Sequence, residues 1–87
     1  MKSMYFVYIL YSDGLKRHYV GSTNDLLDRL KRHNSGEGVF TRKGMPWKLV
    51  WQTERNTRAE AVRLESRIKK RGIKRFLENS SGRGAVR

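Results

Sequence analysis

The chain contains no cysteine, so disulfides cannot staple the fold and thiolates cannot bind a metal. Any metal would have to bind through oxygen atoms or imidazole nitrogens. A second domain is excluded as well, because 87 residues are close to the lower limit for one independent hydrophobic core. That single core must therefore hold the fold together unaided.

Acidic residues are scarce. The chain has 8 Asp and Glu residues against 20 Lys and Arg residues, a formal net charge of +12 at neutral pH. A surplus of this size favours a polyanionic partner, and nucleic acid is the main candidate. Charge alone leaves two alternatives open, namely a surface that serves only solubility and an attraction to anionic membranes.

Long apolar runs are missing too. The apolar stretch near the start covers only residues 5–11, is rich in tyrosine and breaks at residues 12–14. No small-residue cleavage site follows, so the stretch does not read as a secretory signal. We interpret it as a strand of a cytoplasmic protein.

Three segments have the composition of β-strands. Residues 5–11 are apolar on both faces, which is typical of a strand in the middle of a sheet. The turn dipeptide at residues 13–14 leads to a second short strand at residues 18–21, so the two should form an antiparallel hairpin. Residues 47–53 make a third strand.

Helix-start signals follow the second and third strands. The first predicted helix runs to about His33, and Thr57 with Glu60 forms a capping box that opens a second helix. Residues 72–79 predict a short last helix. Three residues could cap the first helix: Ser22, Thr23 and Asn24.

The predicted fold class is α+β, with a three-stranded antiparallel sheet flanked by helices in the order β-β-α-β-α-α. Residues 35–46 read as a flexible loop that carries basic side chains. We expect one domain over residues 1–79. Residues 80–87 are too poor in apolar side chains to order themselves and should form a flexible basic tail.

Glu65 is the most informative single residue. It lies on the face of the second helix that otherwise carries Ala61, Leu64 and Ile68. A carboxylate in that position is costly unless it is paired or bound to a metal. The alternatives are a salt bridge to a nearby arginine, or a rotation of the helix that leaves Glu65 at the rim.

Two further pairs could support phosphate chemistry. Arg29 and His33 are four residues apart and share one face of the first helix, which suits a phosphate. The alternative is a solvated basic helix face, which Lys31 and Arg32 beside them favour. Tyr8 and Tyr19 lie on the two hairpin strands, where aromatic residues are also common packing residues.

Taken together, these residues resemble the GIY-YIG endonuclease superfamily, in its small single-domain, UPF0213-like branch. The resemblance spans about residues 4–79. Phe6 stands where the first family tripeptide usually has glycine. The segment from His33 to Gly36, with Thr41, is similar to the same branch. The matching positions are Phe6-Val7-Tyr8, Tyr19-Val20-Gly21, Arg29, His33 and Glu65.

The resemblance implies roles for these residues. Tyr8 and Tyr19 would align or deprotonate the attacking water, Arg29 would stabilise the phosphate, and His33 would assist proton transfer or contact the phosphate. Glu65 would be the single protein ligand of one Mg²⁺ or Mn²⁺ ion. Gly21 would allow close packing of helix and strand, and Asn79 would brace the site.

The predicted function is a metal-dependent endonuclease that hydrolyses DNA phosphodiester bonds, with DNA repair or recombination as its setting. The alternatives are a non-catalytic nucleic-acid-binding module on the same fold and an RNA- or ribosome-associated protein. We expect nucleic acid, most of all DNA, as the partner, with no membrane and no obligate protein partner. The predicted phosphate contacts are Lys16, Arg17, Arg32, Arg42, Lys43, Lys69, Lys70, Arg71, Lys74 and Arg75.

Overall fold

The computed structural model describes residues 4–36 and 42–86, with residues 80–86 described as backbone only. Its element order is the predicted β-β-α-β-α-α, with a short 3₁₀ turn at Arg42–Gly44 before the third strand. The elements are β1 (Tyr5–Ser12), β2 (Arg17–Thr23), α1 (Leu26–Asn34), β3 (Trp47–Arg55), α2 (Arg58–Arg71) and α3 (Ile73–Val86).

The three strands form one antiparallel sheet in the order β2-β1-β3. The central place of β1 confirms its predicted burial, because its residues 7–10 are at most 1% exposed. Tyr8 lies opposite Gly21 of β2 on one side and Gln52 of β3 on the other. Strand β2 is therefore an edge strand, and the Tyr8 backbone lies one strand inside that edge.

Helices cover both faces of the sheet. On one face, Val7 and Ile9 of β1 pack with Ala61, Leu64 and Ile68 of α2, the apolar stripe predicted for that helix. On the other face, alternate residues of β1 and β2 pack against α1. This second cluster contains Tyr8, Leu10, Trp47, Tyr19, Leu26 and Leu30.

The start of α1 differs from the prediction. The helix is capped by Asp25, whose side chain accepts a hydrogen bond from the Asp28 amide at 3.1 Å. Thr23 does not cap because its hydroxyl already accepts from the Asp25 amide at 3.1 Å. Ser22 and Asn24 were also wrong as caps. The helix begins only at Leu26, so its cap is the residue directly before, Asp25.

The start of α2 confirms Thr57 as its cap, with the Thr57 hydroxyl accepting from the Glu60 amide at 3.1 Å. The Glu60 carboxylate reaches back one residue further than in the usual capping box and accepts from the Asn56 amide at 3.2 Å. One bond satisfies a backbone donor of the first turn and the other a donor just before the cap, and together they fix the direction in which α2 leaves the sheet.

The last helix is longer than predicted. Helix α3 runs from Ile73 to Val86, so its expected end at residue 79 was wrong. The division into a domain of residues 1–79 and a basic tail stays a prediction. Thr41 lies outside the described residues, and so do residues 37–40 of the predicted loop. None of the helices in the described ranges has the length and apolar content needed to cross a lipid bilayer.

Candidate active site

Tyr8 and His33 meet in the layer between the sheet and α1. The Tyr8 hydroxyl lies 3.1 Å from His33 Nε2, and the two residues are 1% and 7% exposed. The pair joins the central strand to the last turn of α1, and the two partners are 25 positions apart in the sequence. Two polar groups with this little exposure are stabilised by their mutual hydrogen bond.

Gly21 makes this position of Tyr8 possible. A Cβ atom at Gly21 would lie 2.6 Å from the Tyr8 hydroxyl oxygen and 3.3 Å from Cε2 of Tyr19. The Tyr8 ring therefore crosses the edge strand where that strand has no side chain. Gly21 was expected to allow helix and strand to pack closely, but the group it admits is a tyrosine of the neighbouring strand.

Aromatic rings hold the imidazole in place. The ring of Tyr19 meets His33 edge-on at a centroid distance of 5.0 Å, and Tyr8 meets it edge-on at 5.9 Å. Trp47 packs on the far side of Tyr19 at 6.2 Å. The sequence-predicted residues Tyr8, Tyr19 and His33 are thus one packed cluster on the α1 face.

Burial and charge set the protonation of this cluster. Desolvation by burial, reinforced by Tyr19, raises the pKa of Tyr8 to about 12, while the charge of Arg29 and its hydrogen bond to Tyr8 act in the lowering direction. Burial and the Arg29 charge lower the pKa of His33. At neutral pH, Tyr8 is therefore a neutral hydroxyl and His33 a neutral imidazole.

The direction of the Tyr8–His33 hydrogen bond depends on the imidazole tautomer. A guanidinium can only donate, so Tyr8 accepts from Arg29. When the imidazole carries its proton on Nδ1, Nε2 of His33 accepts the hydroxyl hydrogen of Tyr8. In this arrangement Arg29, Tyr8 and His33 form a short chain of donors and acceptors.

Glu65 approaches from the opposite face of the sheet. Its side chain is 19% exposed, which places it at the rim of the α2 stripe. Ser22 donates to one carboxylate oxygen at 2.9 Å, and Lys69 pairs with the other at 3.1 Å. The expected compensation for this carboxylate is present, but it comes from a serine and a lysine instead of an arginine.

The two faces meet at the step from Gly21 to Ser22. Successive side chains of a strand point to opposite faces. Gly21 leaves room for Tyr8 on the α1 face, and Ser22 turns to Glu65 on the α2 face. The negative charge of Glu65 also contributes to the raised pKa of Tyr8, so this carboxylate acts electrostatically on the Tyr8 hydroxyl across the sheet edge.

The chemistry of Glu65 fits a hard divalent cation. Mg²⁺ and Mn²⁺ prefer carboxylate oxygens, and Mg²⁺ in particular is often held by one or two carboxylates together with water and substrate phosphates. Among the residues described, no group of three or more His, Asp or Glu side chains is placed to form an all-protein cage. A metal held by Glu65 would therefore need the substrate for part of its coordination, and Lys69 would have to give up one oxygen.

The ten basic residues predicted to contact phosphates are all exposed. Two of them have acidic partners, because Arg32 pairs with Asp28 at 2.8 Å and Lys69 pairs with Glu65. The Arg32–Asp28 pair is exposed on both sides, and pairs of this kind contribute little to stability. The exposed residues are Lys16, Arg17, Arg32, Arg42, Lys43, Lys69, Lys70, Arg71, Lys74 and Arg75. Their contact with nucleic acid stays a prediction.

Asn79 lies on α3. It lines a groove between α2 and α3 together with Leu64, Ile68 and Phe76. That groove shares no lining residue with the small cavity beside Arg29, to which Ser22 belongs. The bracing role of Asn79 stays a prediction.

Three residues near the site were not found from the sequence. Ser22 binds Glu65, and Arg58 lies beside Arg29 in one cavity. Asn34 accepts from the Trp47 amide at 2.6 Å and donates to the Trp47 carbonyl at 3.1 Å, which ties the end of α1 to β3. Of the three, Asn34 had a signal, since it lies in the segment from His33 to Gly36 that resembles the family branch.

Comparisons with known proteins agree with this fold. The family model described as the GIY-YIG catalytic domain matches residues 4–78. A UPF0213 protein of Streptococcus agalactiae is 38% identical over 76% of this chain and 75% of its own length. A UPF0213 protein of Bacillus licheniformis is 36% identical over 94% and 87%. The solution NMR structure of a UPF0213 protein from Bacillus halodurans has a TM-score of 0.56 and 32% identity, covering 90% of this chain and 83% of that one.

Proposed function

Because this chain belongs to the GIY-YIG catalytic domain family, a nuclease superfamily, we propose that it is a divalent-metal-dependent endonuclease that hydrolyses DNA phosphodiester bonds. The observation that carries the proposal is the meeting of Tyr8, His33 and Arg29 with Glu65 at one sheet edge. A core that serves only packing does not require a buried hydroxyl, an imidazole and a guanidinium in contact with one another close to a carboxylate.

His33 is the proton acceptor in this proposal. With its raised pKa, the Tyr8 hydroxyl is too weak an acid to act as a phenolate base at neutral pH. Tyr8 instead accepts a proton from the attacking water as it passes its own proton to Nε2 of the neutral imidazole, 3.1 Å away. Packing by Tyr19 keeps the imidazole aligned for that transfer.

Arg29 and Glu65 complete the site. Arg29 stabilises negative charge on the phosphate and, through its hydrogen bond, keeps the Tyr8 lone pair and proton oriented. Glu65 would hold the Mg²⁺ or Mn²⁺ ion, with Ser22 orienting its carboxylate. When bound, the ion supplies Lewis-acid polarisation of the phosphate.

The proposed setting is DNA repair or recombination in the cytoplasm. The basic surface supports a nucleic-acid substrate because twelve net positive charges attract phosphates at long range. A fold can outlast its activity, so a binding module that does not cut is the competing outcome of the experiment below.

The test compares Glu65→Gln with Glu54→Gln, a matched loss of one exposed carboxylate on β3. Each protein is incubated with supercoiled plasmid and with flapped, branched and single-stranded DNA, in Mg²⁺, Mn²⁺ or EDTA. We expect metal-dependent cutting by the wild type and by Glu54→Gln. In Glu65→Gln the cutting should fall at least about 10²-fold, with binding in gel shifts retained.

Tight binding without cutting of any substrate would favour the non-catalytic module. Cutting that persists in EDTA would contradict the assignment of Glu65 as a metal ligand.

A further inference from the structure

A small cavity opens beside Arg29, at the junction of β2 with the starts of α1 and α2. Its volume is about 70 Å³, against about 780 Å³ for the groove between α2 and α3. The smaller volume suits a compact anionic group, whereas a nucleobase would need the larger space. Its lining residues are Tyr5, Ser22, Thr23, Asn24, Arg29 and Arg58.

The lining is cationic and polar. Two arginines line the cavity, together with three short polar residues. None of the lining residues is a carboxylate, so nothing in the wall neutralises the two arginines. Guanidinium groups bind phosphate oxygens in a two-pronged geometry, which lysines cannot do.

The position of Arg58 suits such a contact. It is the first residue of α2, directly after the Thr57 cap, and its backbone direction is fixed by the capping bonds. Its guanidinium carbon lies 5.8 Å from the centroid of the Tyr5 ring, a cation–π distance. A guanidinium in a cation–π contact keeps its N–H groups as hydrogen-bond donors.

The cavity adjoins the proposed catalytic groups on two sides. Arg29 forms part of its wall and also bonds to Tyr8. Ser22 forms another part and donates to Glu65 at 2.9 Å. A group bound here would therefore contact residues that themselves bind Tyr8 and Glu65.

We propose that Arg58 binds a backbone phosphate of the nucleic-acid strand in this cavity and so sets the strand's register relative to Tyr8 and Glu65. The inference rests on the nucleic-acid substrate of the proposed function. It adds Arg58 to the residues that contact phosphates. Arg58 is a positioning residue, because the groups proposed to take part in the reaction are Tyr8, His33 and Glu65.

The first measurement is binding in EDTA, where no cutting occurs. We compare the wild type with Arg58→Gln and with Arg63→Gln, a matched loss of one exposed arginine on the same helix. The logarithm of the association constant is plotted against the logarithm of the salt concentration. Arg58→Gln should reduce the slope by about 1, as for one lost phosphate contact, while Arg63→Gln leaves it unchanged.

The second measurement locates the phosphate. Single methylphosphonate groups, which carry no charge, are placed one at a time along a short DNA substrate. One position should weaken wild-type binding but leave Arg58→Gln unaffected, and Arg63→Gln should respond as the wild type does. Equal losses for all three proteins at every position would overturn the proposal. Thermal unfolding of each variant shows that the fold is intact.

The two proposals can fail separately. Coupling between Arg58 and one phosphate in a protein that never cuts would support this inference and contradict the endonuclease. Metal-dependent cutting with no such coupling would support the endonuclease and contradict the role of Arg58.

Discussion

Tyr8 carries a buried aromatic ring together with the hydroxyl to which we assign the proton transfer. Its ring is buried with Leu10 and Trp47, while its hydroxyl contacts His33. Removing the hydroxyl should therefore separate the two roles. We expect Tyr8→Phe to fold and to bind DNA like the wild type, because the ring remains. Cleavage should fall about 10²-fold or more, since the proton route to His33 is lost.

The matched control for that measurement is Tyr11→Phe. Tyr11 lies on the same strand and packs against His18 with a centroid distance of 4.7 Å, away from Tyr8 and His33. Equal cleavage by Tyr8→Phe and the wild type, in initial rates at saturating DNA, would remove Tyr8 from the chemistry.

Protonation of His33 should cause the fall in cleavage rate at low pH, which is the acid limb of the pH–rate profile. Because burial and Arg29 lower the pKa of His33 below its usual 6.5, the imidazole is neutral and able to accept a proton at neutral pH. Cleavage should hold near pH 7 and fall as the pH drops through the folded-state pKa. Folding stability follows the same sign: this contribution is complete above about pH 6.5 and is lost below it.

The pH measurement needs a background without His18, whose pKa is lowered as well, by burial and Lys74. In His18→Gln, ring signals in NMR titrations report His33 alone, and the cleavage profile should follow them. If His33→Gln kept full activity and the same acid limb, another group would have to be the proton acceptor.

At the scale of elements, the edge strand β2 decides whether the site can form. Gly21→Ala would put a methyl group 2.6 Å from the Tyr8 oxygen, so the ring or the strand must shift. We expect a loss of about 1–3 kcal/mol in the free energy of unfolding and a large loss of cleavage. Urea unfolding and cleavage assays measure the two effects.

Gly14→Ala is the matched control for Gly21→Ala. A Cβ atom at Gly14 would meet nothing closer than the Ser12 hydroxyl oxygen at 4.0 Å. Unchanged stability in both variants would show that Tyr8 does not need the open edge of β2.

The order of the elements was predictable because its signals are local. Apolar content marked β1 as central, and the Thr57–Glu60 spacing marked the start of α2. The residues of the site came from a resemblance in motif spacing. The partner of Glu65 was not predictable, because Ser22 is 43 residues away and reaches it only through the register of the sheet.

Two element boundaries show where local signals fail. Four polar residues in a row precede α1, and only the competing Thr23 bonds select Asp25 as the cap. The extension of α3 to Val86 has no signal in its composition, and we have no physical account of it.

For the whole molecule, charge should dominate binding. The net charge of +12 is spread over exposed residues on several elements, so affinity should fall steeply with salt. Replacing Lys74 and Arg75 together by Gln should weaken binding to every DNA sequence alike and lower the salt slope by about 2 if both contact phosphates. Fluorescence anisotropy at several salt concentrations, in EDTA, measures this.

The rate of cutting by this double variant at saturating DNA should match the wild type, because neither side chain touches Tyr8 or Glu65. A lower saturated rate with an unchanged salt slope would contradict a role for Lys74 and Arg75 in binding alone.

The central place of β1 has a consequence for local opening. Both long edges of this strand are hydrogen-bonded and both faces are covered by helices, so its amide hydrogens should exchange with solvent only when the whole domain opens. Tyr8 is carried by that strand. Fraying of the termini or of an edge strand would therefore leave the tyrosine in place, and the anchor of the site would persist for as long as the fold itself.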